Sequence, residues 1–299
     1  MLGERARSDV EDFVRRNEDR LVRELRSADG RHGLAAARRL DRRLHGVVGD
    51  APGDEVRRVA IAELLAGLEA RTLAAPPPPS IAALYPKAIK ILTDYLAAGL
   101  PYDPDLYGKD ARFVAGIAVP AGAQIVDVPV CKRPWVHLRH IVRMTAMTGR
   151  LALMNDFSGC VKLFSAHGWR LWLEIHTDPR NLEDFNEAGW DDCYRRIADI
   201  LRSRSDLAGV WGVSWFYDPQ LTSISPRLAY LQERPLARGA ILVRLRPGQI
   251  HTERAKQTSP TRKALIESGD YRPVCYAMFW PRRSLLAWAS CQIRTDTGE

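Results

Sequence analysis

The chain has 299 residues, 46% of them hydrophobic and 27% charged, with a formal net charge of +8. That composition supplies ample core for a globular fold and excludes a disordered or fibrous chain. No apolar run approaches the roughly 18–20 residues of a bilayer span, and the charged start Met1-Leu2-Gly3-Glu4-Arg5 lacks the apolar stretch of a secretory signal. A cytoplasmic protein without a membrane partner is therefore expected.

In chain order, residues 1–75 read as helices of nearly neutral charge. Val10, Phe13, Val14, Leu21, Val22 and Leu25 recur at helical intervals, and Ser8 with Glu11 has the form of a capping box. Further helices are predicted over about 33–47 and 54–73, the second with Val56, Val59, Ala60, Leu64 and Leu68 as its stripe. This predicts a helical accessory segment or dimerisation element, and with it a homodimer. Pro76-Pro77-Pro78-Pro79-Ser80 can join neither a helix interior nor a central strand, so 76–80 reads as a stiff linker and 81–299 as the domain beyond it.

After the linker, a helix over Ile81–Ala98 ends at Gly99. Strands Arg112–Val119 and Ala123–Val128 flank a Pro120-Ala121-Gly122 turn, and a helix over Trp135–Thr148 carries His137 and His140. Strands are then predicted at Arg170–Thr177, Gly209–Tyr217, Ala240–Leu245 and Val274–Trp280. Helices alternate with them at Leu182–Arg202, Pro226–Leu231, Pro260–Glu267 and Arg282–Ala289. Such alternation predicts an α/β domain with helices packed on the sheet.

Five cysteines (Cys131, Cys160, Cys193, Cys275 and Cys291) form no C-x-x-C pair, so neither a disulfide framework nor a structural zinc is expected. Glu174, His176 and Asp178 stand at i, i+2 and i+4, which on a strand directs three polar side chains to one face. Such a group suits general acid–base work or, through imidazole and carboxylates, metal ligation, for which no second distant set of ligands is evident. Tyr217 and Asp218 end the apolar strand, where Tyr217 lines a pocket or donates a proton to a leaving group and Asp218 joins the site or opens a turn. Ser225-Pro226-Arg227 and Ser259-Pro260-Thr261-Arg262-Lys263 have the form of helix starts, whose free N–H groups and cations would seat a phosphate. Both lie in or beside the stretch 227–283, which holds 12 basic and 4 acidic residues. G-x-S-x-G, P-loop and H-E-x-x-H motifs are absent, which argues against the enzyme classes that use them.

The order of elements from Ile81 onward resembles the GCN5-related N-acetyltransferase (GNAT) fold. The resemblance implies a mixed sheet with flanking helices, a tyrosine general acid at Tyr230 in Pro226-Arg227-Leu228-Ala229-Tyr230, and an acidic base at Glu174. Where that family carries a glycine-rich phosphate loop, this chain has Asp178-Pro179-Arg180-Asn181, with Arg180 as its cation and no glycine. The activity implied is acyl or aminoacyl transfer to a small amine, in a biosynthetic setting. Its donor is left open among an acyl-CoA, a carrier-protein thioester and an aminoacyl-tRNA. Two other readings remain open: a metal-dependent enzyme built on Glu174, His176 and Asp178, and a nucleic-acid-binding regulatory module using the basic stretch.

Overall fold

An apolar strand between two antiparallel neighbourhoods organises the C-terminal half of the chain. The computed structural model describes residues 54–99, 101, 103–122, 124–128, 156–159, 161, 170–245, 249–257 and 259–297. The helices expected before residue 54, the helix expected over Trp135–Thr148 with His137 and His140, and Cys131 and Cys160 lie outside them.

Packing divides the chain into two compact units, Met1–Pro120 and Ala121–Glu299. The first contains α1 (Asp54–Ala66), α2 (Leu68–Ala74), α3 (Pro79–Ala82), α4 (Tyr85–Ala98) and α5 (Lys109–Val114). The proline run thus lies inside this unit, not at its edge. Its core stacks Tyr85 on Phe113, with centroids 4.5 Å apart, and Tyr95 on Tyr107 at 4.3 Å. Arg71 joins the helices by donating to the backbone carbonyls of Leu64 and Val114. The segment 109–114 was expected to begin a strand from Arg112 and is instead helical. Lys109-Asp110-Ala111-Arg112 lacks β-branched residues, and the Phe113 ring packs back on α4. Gly116, at φ 74°, ends that turn before the strand at Ala118. Gly99, at φ 62°, terminates α4 where the sequence places the helix end.

The sheet has six strands, β1 (Ala118–Ala121), β2 (Gln124–Asp127), β3 (Leu171–Thr177), β4 (Leu207–Ser214), β5 (Ile241–Arg244) and β6 (Tyr276–Pro281), in the order β1-β2-β3-β4-β6-β5. β3 and β4 run parallel, while β2–β3, β4–β6 and β5–β6 are antiparallel. The fold is therefore α/β, a mixed sheet with flanking helices. Helix α6 (Glu187–Ser203) buries Trp190, Cys193, Tyr194, Ile197, Ala198, Ile200 and Leu201 as one stripe, and packs with α11 (Arg282–Thr297) against the sheet. Asn186 caps α6 by accepting from Gly189 N at 3.0 Å, and a 3₁₀ turn, Pro179–Asp184, takes up residues 182–184, with which the predicted helix begins. Arg282 donates to the carbonyls of Leu201 and Arg204, satisfying groups the helix end leaves open. Two further helices, α7 (Leu221–Ile224) and α9 (Gln249–Gln257), fall where the sequence reading assigns no element; α8 (Tyr230–Ala237) and α10 (Pro260–Ser268) complete those described.

Between Leu171↔Leu207 and Leu173↔Val210, two steps along β3 meet three along β4, a bulge at Ala208-Gly209. The bulge resets the strand's alternation. Ala208 and Trp211 consequently share one aromatic cluster with Trp172 and Phe279, although strict alternation would put them on opposite faces. Trp211 lies parallel to Phe279 at 5.8 Å and Trp172 meets Phe279 edge-on at 5.4 Å. On the other face Trp280 packs on Tyr194 at 4.8 Å and Trp288 at 5.4 Å.

Gly209 makes this bulge sterically feasible. Its φ is 153°, and a Cβ there would run into Trp280 O and come within 2.8 Å of the Trp172 ring. Gly209→Ala is expected to cost about 3 kcal/mol, from overpacking and a disfavoured backbone together. Chemical denaturation measures it; a loss under about 0.5 kcal/mol, the range of ordinary surface changes, would show that the bulge tolerates a side chain.

Candidate functional site

The parallel ladder between β3 and β4 ends at Glu174↔Trp211, although both strands run three residues further. Ile175–Thr177 continue paired to β2, and Gly212–Ser214 to β6. The two strands thus part at their C-terminal ends, where open α/β sheets bind ligands. The parting begins narrow: a Cβ on Gly212 would collide with Ile175 Cγ2 and lie 3.5 Å from the Tyr217 hydroxyl.

On one face of this mouth, three titratable side chains gather. The antiparallel register sets Asp127 of β2 directly opposite Glu174 of β3. His176 Nε2 lies 3.6 Å from Asp127 Oδ2 and 3.6 Å from Glu174 Oε1. Two carboxylates facing each other across a strand pair repel, and an imidazole reaching both relieves that repulsion when it takes up a proton. The His176 side chain is 44% exposed and that of Glu174 is 12% exposed, so imidazole is the outer member and the carboxylate the inner one. Asp127 escaped the sequence reading because its only signal is long-range strand register.

Asp178 does not join this group. The strand ends at Thr177, and Asp178, fully buried, caps the following turn by accepting from Arg180 N and holds the Arg180 guanidinium through both carboxylate oxygens. The expected one-face trio therefore becomes Asp127–Glu174–His176. Arg180, read as a phosphate contact, is bound to Asp178 with Nη2 to Oδ2 at 2.9 Å. Among the described residues, no group of three His, Cys, Asp or Glu side chains is arranged to hold a metal ion.

Other expected site residues turn out to be internal. The Asp218 carboxylate is 1% exposed and accepts from Gln220 N at 3.1 Å, Tyr271 Oη at 3.2 Å and Val274 N at 2.9 Å. It ties the turn after β4 to the segment 271–274 and faces no solvent. Tyr217 is also buried, in a 3₁₀ turn after β4, and burial with a contribution from Cys193 pushes its phenol well above the usual range. Both residues are buried in the turn by which the chain leaves β4.

The two Ser-Pro starts meet each other. Ser259 caps α10 by accepting from Arg262 N at 3.3 Å, as its sequence suggests. Ser225 makes no cap; its hydroxyl instead accepts from Arg262 Nη1 at 3.1 Å. Arg262 is 1% exposed, donates from Nε to Ala255 O at 3.0 Å, and lays its guanidinium 4.6 Å from the Trp215 ring centroid. Arg262 and Ser225 are core-facing and correct the expectation of a phosphate seat there. Arg227 and Lys263 remain at the surface, Lys263 within 4.0 Å of Glu267. The basic stretch is thus divided. Arg262 and Arg282 serve the fold, Arg234 pairs with Glu187 and Asp191, and Arg227, Arg238, Arg254, Arg272 and Arg283 are exposed.

Tyr230 opens α8, and its hydroxyl is buried without a hydrogen-bond partner. Burial, with Glu187 adding, pushes its phenol up to about 12. Elsewhere Cys275 Sγ lies 3.4 Å from His251 Nε2, but burial pushes that thiol up to about 12 as well, so the pair holds a thiol and not a thiolate nucleophile.

No protein-family model and no curated protein matches this sequence. Among solved structures, an acyltransferase in complex with decanoyl-CoA and teicoplanin is similar at 13% identity and a TM-score of 0.35, over 82% of this chain and 87% of that one. No helix among the described residues is long and apolar enough to cross a membrane.

Proposed function

We propose that the chain is a GNAT-like acyltransferase that moves an acyl or aminoacyl group from a thioester or ester donor to the amine of a small molecule. The observation that carries this reading is the parting of β3 and β4 beyond Glu174↔Trp211, with a base cluster on β2 and β3 and a tyrosine hydroxyl at the start of α8, the second helix after β4. An extended donor arm entering such a gap finds backbone N–H and C=O groups that the ladder no longer uses.

In this mechanism Glu174, with His176 and Asp127, attracts the substrate ammonium and takes its proton, directly or through water. The free amine attacks the donor carbonyl, and the tetrahedral oxyanion is stabilised by free backbone N–H groups of the strand ends. The adduct nitrogen loses its second proton to water, the C–S or C–O bond breaks, Tyr230 protonates the leaving sulfur or oxygen, and its phenolate regains a proton from solvent. A neutral phenol near pH 7 suits an acid that must keep its proton until the leaving group develops charge. The donor remains open among an acyl-CoA, a carrier-protein thioester and an aminoacyl-tRNA, since Arg180 and Arg262 are engaged within the protein and the turn after β3 has no glycine cradle. The exposed arginines of 227–283 would meet the phosphates that all three donors share.

The test is direct: purified protein is mixed with acetyl-CoA or a longer acyl-CoA and a panel of primary amines. Thiol release and a mass gain on one amine are the expected result. If neither these donors nor acyl-pantetheine and aminoacyl-tRNA bind or lose their acyl group to any amine, the reading falls.

A further inference from the structure

Three buried polar atoms near Tyr230 lack hydrogen-bond partners: Tyr230 Oη, Tyr194 Oη and Asp191 Oδ1. Such atoms cost about 1–3 kcal/mol each when left unsatisfied, and native structures satisfy nearly all of them with protein or ordered water. All three lie on α6 and α8, two helices that pack together. Asp191 and Tyr194 are three residues apart on α6, and Tyr230 and Arg234 are four apart on α8, so each pair shares a helix face. Arg234 ties the two helices together by pairing with Glu187 and Asp191 Oδ2, which leaves Asp191 Oδ1 buried and without a partner. Tyr194 is 2% exposed, packed between Trp190 and Trp280, so its hydroxyl cannot turn to bulk solvent. Besides burial, the groups acting on the Tyr194 phenol are Tyr217, Cys193, Asp191 and Tyr230, which places these side chains within electrostatic reach of it.

We infer that Tyr194 and Asp191 hold an ordered water against the Tyr230 hydroxyl, and that Tyr194 is a positioning residue for Tyr230. The donor and acceptor count allows the arrangement proposed here. Tyr194 Oη donates to the water, which donates one hydrogen to Asp191 Oδ1, an acceptor only, and the other to Tyr230 Oη. The Tyr230 proton is then left pointing away from the seam, toward a bound ligand. When Tyr230 gives that proton to a leaving group, the same water already donates to the phenolate oxygen, and no proton moves along the chain. Only this catalytic consequence rests on the proposed acyl transfer; the hydrogen-bond chain does not.

Two measurements on the full-length protein test it. A high-resolution crystal structure is expected to show a water within hydrogen-bonding distance of Tyr194 Oη, Tyr230 Oη and Asp191 Oδ1; a dry seam, or a water touching only one of them, overturns the inference. In protein labelled with carbon-13 at the tyrosine ζ-carbon, Tyr194→Phe keeps the ring and removes only the hydroxyl. It is expected to shift the Tyr230 resonance, assigned by its loss in Tyr230→Phe, whereas Tyr95→Phe in the first unit leaves it in place. A Tyr230 resonance unmoved by Tyr194→Phe is the contrary result, and if that variant does not fold, the crystal structure alone decides. Where transfer activity is established, Tyr194→Phe should lower kcat about ten-fold with KM nearly unchanged. Absence of any acyl transfer removes the proposed function and leaves the seam water standing; a dry seam in an active transferase removes only this inference.

Discussion

Arg262→Ala is expected to lower the free energy of unfolding by about 3–5 kcal/mol, from the loss of two charge-assisted hydrogen bonds and a buried cation–π contact. The guanidinium joins Ala255 O at the end of α9, Ser225 Oγ before α8 and the face of Trp215 after β4, so its removal opens a junction of three segments. It also leaves the Ser225 hydroxyl, in a residue 7% exposed, without this donor. Lysine should recover little of the loss, because an ammonium lacks the planar fork that reaches two acceptors while stacking on indole. Lys263→Ala, one residue on, should change stability by no more than about 0.5 kcal/mol, since its side chain is more than half exposed. Urea denaturation of the three variants makes the comparison. A loss below about 1 kcal/mol in Arg262→Ala, less than a single charged hydrogen bond is worth, would return Arg262 to the list of ligand contacts.

Glu174→Gln is expected to reduce transfer about 100- to 10,000-fold, the span over which a positioned general base accelerates proton transfer. The amide keeps the size of the side chain but accepts no proton, and it removes one of the two charges facing His176. Stability should hold or rise slightly, because Asp127 no longer faces a like charge across the strand pair. Asp127→Asn gives the matching control: it relieves the same repulsion while leaving the inner carboxylate in place, so its activity loss should be the smaller of the two. The readout is kcat/KM with the donor that the transfer assay identifies. Turnover of Glu174→Gln equal to that of the unaltered protein would remove the base from the mechanism.

Local pattern alone determined much of the α/β domain. The stripe from Trp190 to Leu201 marks α6 because a helix returns to the same face every three or four residues, and Gly99 and Ser259 mark helix ends through backbone and cap chemistry that acts within a turn. The apolar run around Val210–Val213 is legible as a central strand because both its faces are covered. Tertiary structure decided the rest wherever a residue's role depends on a distant partner. Asp127 enters the base cluster through strand register, Asp178 leaves it for Arg180, and Asp218 is drawn inward by Tyr271 and Val274, more than fifty residues away in the chain. Arg262 illustrates the reason most plainly. A Ser-Pro-x-Arg motif specifies a helix start with a cation near it, but whether that cation faces a phosphate or a tryptophan depends on which surface the helix is packed against, and the buried face of α10 is set by Trp215 and Ser225, not by its own sequence.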